Sequence, residues 1–310
     1  MGKVTVFGSF VVDLMARVPE TPRVGETVKG SMFKISSGGK GSNQAVAAKR
    51  AGANVVIITK VGRDHFTDLA FQSFQKEDIP TEYLFIDNEK STGVALIMVG
   101  ELDGHNLISV VPGASDNIKI HEVEKAKEEI IGSSHLLVQL ETNIDATIAA
   151  IDIAKDYGVK VILNPAPVVE LPDNIYKGIY IITPNEIESE SLSGIKIIDE
   201  ESLRESVDFF HERGVENVMI TLGSRGSYIS TPNLRTFIKA IDVEVVDTTG
   251  AGDAFNGGLV AALASGKEII EAAEYANIYA GLSVTRIGTS IAMPRDDEVK
   301  KYIKSDIIVS

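Results

Sequence analysis

The sequence predicts an α/β fold of three layers, with helices on both faces of a mostly parallel central sheet and a small β lid beside it. Three observations carry that prediction. Short β-branched runs alternate with helical segments over most of the 310 residues. Several of these runs are apolar at nearly every position, as strands buried between two helix layers are. Two stretches, residues 14–37 and 91–111, break the alternation with strand-like, turn-rich sequence.

Strands are expected at residues 4–7, 55–61, 136–140, 159–163, 180–183 and 218–222. Helical spacing runs between them over 43–51, 66–76, 121–131, 145–157, 201–213, 254–264 and 270–284. Such alternation implies βαβ units with right-handed crossovers, and ligands gather at the carboxyl ends of strands in folds of this kind. Residues 93–100 and 106–113, joined through Leu102-Asp103-Gly104-His105, read as a β-hairpin. With 14–37 they are expected to form the lid, edge strands of the main sheet being the alternative. No repeat or linker divides the chain, so 1–310 is expected to be a single domain with lid segments at about 14–37 and 91–111.

Composition narrows the function. Acidic residues outnumber basic ones 44 to 30, a net charge of −14, which argues against nucleic-acid and anionic-membrane partners. The absence of cysteine excludes disulfides, thiolate zinc sites and cysteine nucleophiles, and fits a cytoplasmic protein. No apolar stretch approaches the ~20 residues that span a bilayer. The five histidines are scattered without metal-ligand spacing.

The most informative segment is Asp247-Thr248-Thr249-Gly250-Ala251-Gly252-Asp253-Ala254-Phe255-Asn256-Gly257. It reads as a small-residue turn opening onto a helix. A helix N-terminus offers unpaired N–H groups and partial positive charge, and glycines let a bulky anion approach them. Asp253, in the first turn, is placed to take a proton from a hydroxyl while the amides hold a phosphoryl group. The competing reading is an acidic residue that stabilises the helix dipole by ~0.3–1 kcal/mol.

Further candidates follow the other strands. Ser37-Gly38-Gly39-Lys40-Gly41-Ser42-Asn43 precedes a helix, and Lys40 and Asn43 supply donors for hydroxyls or phosphate, although the P-loop spacing is absent. Asp13 and Glu141 each end a strand, suited either to accepting bonds from vicinal hydroxyls or to solvation. Asn185 and Glu188 fit water-mediated Mg²⁺ binding or a capping box, and the spacing alone favours the capping box. In Thr221-Leu222-Gly223-Ser224-Arg225-Gly226, Arg225 and nearby amides suit nucleotide phosphates, and a hairpin turn is the alternative. Thr285-Arg286-Ile287-Gly288-Thr289 resembles a monovalent-cation loop or a helix C-cap.

Taken together and in order, these motifs resemble the ribokinase-like (PfkB-type) family of carbohydrate kinases from Val4 to about Pro294. Gly38–Ala47 and Asp247–Gly257 are the most specific matches. The resemblance implies ATP-dependent phosphorylation of a primary hydroxyl on a small sugar, expected to be D-ribose, with Mg²⁺ and a monovalent cation such as K⁺. It implies Asp253 as general base with the amides of Gly250, Ala251 and Gly252 as anion hole. Sugar contacts would come from Asp13, Gly39, Lys40, Gly41, Asn43 and Glu141. The nucleotide site would comprise Asn185, Thr221, Gly223, Ser224, Arg225, Gly226, Gly252 and Asn277. Glu188 would serve Mg²⁺ through water, and Asp247, Thr249, Ser283, Arg286 and Gly288 the monovalent cation. A homodimer through the lid is also implied.

One position departs from the family pattern. Members that use ribose typically carry Asn two residues after the Gly8-Ser9 pair, where this chain has Val11. An apolar side chain there leaves a hydroxyl unpaired, at ~1–3 kcal/mol, so a fructokinase or another ketose or nucleoside kinase of the family stands as the alternative. A catalytically silent sugar-binding regulator is a separate alternative, against which Asp253 and the glycine turn argue. A dinucleotide dehydrogenase is excluded by the missing GxGxxG after the first strand.

Overall fold

A computed structural model describes residues 2–102 and 106–309. The residues Asp103, Gly104 and His105, expected to close the 93–113 hairpin, lie outside the described residues. In chain order the elements are β1 (Lys3–Phe7), β2 (Val11–Val18), β3 (Met32–Gly38), α1 (Lys40–Arg50), β4 (Asn54–Gly62), α2 (Thr67–Lys76), β5 (Leu84–Asp87), β6 (Gly93–Gly100) and β7 (Asn106–Val111). There follow α3 (Ile120–Lys125), α4 (Lys127–Ile131), β8 (His135–Val138), α5 (Ile144–Asp156), β9 (Lys160–Leu163), β10 (Ile181–Ile182), α6 (Glu186–Ser193) and α7 (Glu200–Glu212). The chain ends with β11 (Asn217–Thr221), β12 (Ser227–Ser230), β13 (Arg235–Ile238), α8 (Ala251–Ala264), α9 (Ile269–Ser283) and α10 (Asp296–Val309).

Nine strands form the main sheet in the order β13-β12-β11-β10-β9-β8-β1-β4-β5. The strands from β11 to β5 run parallel, and β12 and β13 add an antiparallel edge. Side chains alternate between two cores, as a strand's period of two demands. Val4 and Val6 of β1 point into a core shared with α1, α2, α8 and α9. Phe7 of the same strand joins Leu136 and Val138 of β8 in a second core under α3, α4, α5 and α7. Each face is therefore covered by helices, giving three layers. This explains why the strands read as continuous apolar runs.

The two irregular stretches make a sheet of their own, ordered β3-β2-β6-β7. Its register puts Val11 and Asp13 of β2 and Val110 of β7 on one face, and Leu14, Phe33, Ile35, Leu96, Met98 and Leu107 on the other. At its base Lys60 donates to Glu122 at 3.0 Å and to the Asn117 carbonyl at 3.2 Å, and pairs with Asp87 at 3.0 Å. All three charged side chains are buried, so this triad fastens β5, α3 and the segment after β7 to β4.

Local differences from expectation have local causes. The helix expected over 121–131 is two, α3 and α4, hinged at Ala126. The strands β5 and β13 are the sheet edges, where partial exposure weakens the apolar signal, and β12 beside β13 is buried but only four residues long, two of them serine. The turn Gly223–Arg225 leads from β11 into β12 as a hairpin.

Candidate active site

The carboxyl ends of β1, β8, β9 and β10 converge on the start of α8. That helix begins at Gly250, whose φ of 79° is the left-handed conformation glycine tolerates, and it has no side-chain cap. By contrast α5, α6 and α7 are capped by Asn143, Asn185 and Asp199. The first-turn amides of α8 thus meet no side-chain acceptor, as is also true of α1, α2 and α4, and the glycines around them suit them to an incoming anion.

Asp253 sits buried in this first turn. Its Oδ2 accepts from Asn43 Nδ2 at 2.9 Å and its Oδ1 from Gln44 Nε2 at 2.9 Å, both from the start of α1. Asn43 Oδ1 is buried with no partner among the described residues. Beyond the carboxylate lies a chain of buried amides. Gln139 Nε2 donates to Gln44 Oε1 at 2.7 Å, Gln44 Nε2 also donates to Asn164 Oδ1 at 2.9 Å, and Asn164 Nδ2 donates to the Thr183 carbonyl at 3.2 Å. The Thr183 hydroxyl donates to Asn256 Oδ1 at 2.6 Å, and Asn256 Nδ2 returns to the Gly252 carbonyl at 2.9 Å.

A cavity of about 670 Å³ opens on one side, between the small sheet and the main body. Val11, Lys40, Val110, Glu141 and Asn143 line it. Glu141 Oε2 accepts from Ser9 Oγ at 2.5 Å and from the Lys40 amide at 2.8 Å, so the Gly39–Lys40 turn is pinned to the end of β8. Gly39 has a φ of 89°, and a Cβ there would meet Ser9 and Val11 backbone at 2.8–3.0 Å, so only glycine fits. A Cβ on Gly41 would strike Gly8 and Ser9 backbone at 2.4–2.6 Å. Asp13, expected at the end of the first strand, lies instead within β2 of the four-stranded sheet, buried, with the Thr289 hydroxyl 3.4 Å from its Oδ2.

Charge binds these residues into one field. Burial pushes the Asp13 carboxyl up to about 6, Thr289 opposing and Glu141 and Asp253 adding. Burial lowers the Lys40 ammonium, but Asp253, Glu141 and Glu188 outweigh it and hold the group above its ordinary range. The Glu188 carboxyl is raised, chiefly by burial, against the Asn185 amide and Lys40.

A second cavity, of about 300 Å³, lies on the other side of the α8 start. Asn185, Thr221, Gly223, Gly226, Ala251, Gly252 and Asn277 line it, together with Ile187, Phe255 and Ala280. Asn277 Nδ2 donates to Ser227 Oγ at 3.0 Å and to the Ile238 carbonyl at 3.1 Å. Ser224 is exposed on the turn, and Arg225 is ion-paired with Glu186. Asn185 and Glu188 form the capping box, each bonding the other's amide at 2.8–2.9 Å.

Asp247 clasps the two loops behind the turn. Its Oδ1 accepts from the Thr249 amide and its Oδ2 from the Gly288 amide, both at 2.9 Å. Ser283 Oγ donates back to Ala280, and Arg286 is ion-paired with Glu298. The side chains of Ser283 and Arg286 are therefore engaged elsewhere, leaving backbone carbonyls as what these residues offer a cation.

Sequence reasoning missed Ser9, Gln44, Asn164, Thr183, Thr289, Gln139 and Asn256 as parts of the site. The signal was available for Gln139 and Asn256: each is a lone amide inside an apolar run, and a buried amide needs a partner.

Fold and site together define a sugar-phosphorylating enzyme, with a buried carboxylate and an uncapped helix start set between two cavities. The chain matches the pfkB family of carbohydrate kinases over residues 1–296, and it belongs to that family. It is 39% identical to a ribokinase of Haemophilus influenzae over 97% of this chain and 98% of that one. It is 32% identical to a deoxyribokinase of Salmonella typhi, over 97% and 98% of the two chains. A structure of Arabidopsis thaliana ribokinase complexed with ribose and ATP superposes with a TM-score of 0.91 at 28% identity, covering 97% of this chain and 98% of that one.

Proposed function

We propose that this enzyme transfers the γ-phosphoryl group of ATP to the primary hydroxyl of D-ribose, giving ribose 5-phosphate. The observation that carries the reading is the double position of one helical turn. Ala251 and Gly252 line the nucleotide-sized cavity, while Asp253 on the same turn is bonded to Asn43 on the sugar side. A terminal phosphate seated at the turn would meet α8 amides directed at its oxygens, and a hydroxyl beside Asp253 would lose its proton as the phosphoryl group transfers. Asn43 Oδ1, buried and unpartnered, is a ready acceptor for that sugar. Asp13, Glu141 and the Gly39–Lys40 turn supply the remaining hydroxyl contacts. Lys40 adds positive charge between the carboxylates. Thr221, Gly223, Ser224, Gly226 and Asn277 would hold the nucleotide.

Two ions fit the donor sets. Glu188 has one carboxylate oxygen outside its capping bond, which suits a water-bridged Mg²⁺ carried by the nucleotide; when bound it neutralises phosphate charge. The carbonyls at Asp247, Thr249, Ser283, Arg286 and Gly288 make an all-oxygen set suited to K⁺, which supplies positive charge behind the anion turn.

A second reading of the sugar rests on Val11, which is 4% exposed on the sugar-cavity wall. A sugar lacking the hydroxyl that faces it loses nothing there, and a deoxyribokinase is among the relatives. The outer face of the four-stranded sheet, with Phe33, Ile35, Leu96, Met98 and Leu107 all exposed, supports a homodimer formed through the lid. Sedimentation velocity checks it, a monomer at micromolar concentration counting against it. Among the described residues no helix is long and apolar enough to cross a membrane. With no cysteine to oxidise, we assign the enzyme to the cytoplasm, which cell fractionation checks.

The central test is Asp253→Asn, scored by ADP release with ribose, 2-deoxyribose, fructose and nucleosides. We expect kcat to fall by roughly 10²–10⁴ with sugar and nucleotide binding retained. Near-normal turnover would remove Asp253 as the base, and absence of ADP release from the wild type with every sugar tested would favour a silent regulator.

A further inference from the structure

The buried amides behind Asp253 have an order that follows from which groups can only accept. The Thr183 carbonyl has no proton to give, so the Asn164 group facing it at 3.2 Å is the NH₂ end. That turns Asn164 Oδ1 toward Gln44, and Gln44 must then present its NH₂ end at 2.9 Å. The two protons of that NH₂ go one to Asn164 Oδ1 and one to Asp253 Oδ1, also at 2.9 Å. Gln44 Oε1 is left to accept from Gln139 at 2.7 Å. Reversing Gln44 would set its carbonyl oxygen against two other oxygens, which nothing at the site offsets.

Gln44 is wholly buried, and the elements it joins are distant in sequence: α1, β8, the segment after β9, and α8. Its partners are all side chains of the belt, and none lies between it and solvent. The Thr183 hydroxyl extends the belt through Asn256 to the Gly252 carbonyl in the same helical turn as Asp253. The turn is thus held at two points, one on the carboxylate and one on the backbone that supplies the anion hole.

We propose that Gln44 is a positioning residue for phosphoryl transfer: oriented by Asn164 and Thr183, it fixes one oxygen of Asp253 so that the other face of the carboxylate is presented to the sugar hydroxyl. The proposal rests on Asp253 being the base, and adds a residue that acts only through it. A group of this kind changes the chemical step and leaves ligand binding alone, because it touches neither cavity. Asn43, which holds the other carboxylate oxygen, faces the sugar and affects both.

The test is a double-mutant cycle. Gln44→Glu keeps the shape and replaces the donor to Asp253 with an acceptor. We expect kcat to fall by roughly a hundredfold, with KM for ribose and for ATP each within about twofold of wild type. Asn164→Ala, which removes the acceptor that orients Gln44 together with the donor to the Thr183 carbonyl, is expected to lower kcat by roughly tenfold with the same unchanged KM values, and serves if Gln44→Glu does not fold. In an Asp253→Asn background either substitution should leave the residual rate unchanged. An undiminished kcat in both folded variants, a loss carried by KM, or full additivity with Asp253→Asn would overturn the proposal. If Asp253→Asn alone keeps normal turnover, the base assignment falls instead, so the two failures are distinguishable.

Discussion

Asp13 sets stability against binding, and the conflict can be measured. Burial raises its carboxyl from the ordinary 3.8 to about 6, with Thr289 partly opposing and Glu141 and Asp253 reinforcing. The folded chain therefore binds a proton that the unfolded chain gives up between pH 4 and 6. Above pH 6 the ionised Asp13 destabilises the fold by roughly 3 kcal/mol, and this cost disappears as the pH falls through 6 toward 4. Asp13→Asn removes an ionisation the site resists. At pH 8 its Tm should exceed that of the wild type by about 5 °C, a value scaled from ~2 °C per kcal/mol for a chain of this size. At pH 5 the gap should shrink to roughly half. The same substitution removes a charged acceptor from the sugar hydroxyls, so KM for ribose should rise about ten- to a hundredfold. Scanning calorimetry from pH 5 to 8 and initial rates over ribose concentration read both effects. A Tm at pH 8 no higher than wild type, or a gap independent of pH, would refute the burial argument. An unchanged KM would remove Asp13 from the sugar site.

Val11→Asn restores an amide on the sugar-cavity wall, and should raise kcat/KM for ribose relative to 2-deoxyribose by about tenfold or more; competition between the two sugars measures the ratio, and no change would show that no hydroxyl faces Val11. Exchange of K⁺ for a bulky quaternary ammonium should lower the rate at saturating substrates, and Asp247→Ala should abolish that cation dependence. A rate indifferent to the cation would unseat the 247–288 loop pair as an ion site.

Much of the fold was legible because buried strands and amphipathic helices leave strong periodic signals. The strands β1, β4, β8, β9, β10 and β11 were found with boundaries shifted by a few residues, as were six of the seven expected helices, the seventh being the pair α3 and α4. The edge strands β5 and β13 were not, since a short, partly exposed strand resembles a loop, and β12, though buried, has only the four residues Ser227–Ser230 and two serines to mark it. The turn that opens α8 was legible for a different reason: Gly250 and Gly252 around Ala251, followed by Asp253, mark a helix start at fixed local spacing. Glu188 shows the limit of such reading, because its bond to Asn185 satisfies the capping box and leaves its carboxylate facing Lys40 and Asp253 as well.

The chain's own order of residues determined which side chains could do chemistry, since reactivity resides in residue type and in contacts a few positions away. It specified a carboxylate at a helix start, a glycine turn carrying Lys40 and Asn43, and an apolar Val11 where polarity was expected. Tertiary structure alone decided that Gln44, Gln139, Asn164 and Thr183 meet behind Asp253, and that Asp13 is buried deeply enough to resist ionisation. Those outcomes depend on groups up to 276 positions apart, as Asp13 and Thr289 are, being packed where water cannot compete. No local pattern encodes that exclusion of solvent, because it belongs to the open sheet and its two helix layers together.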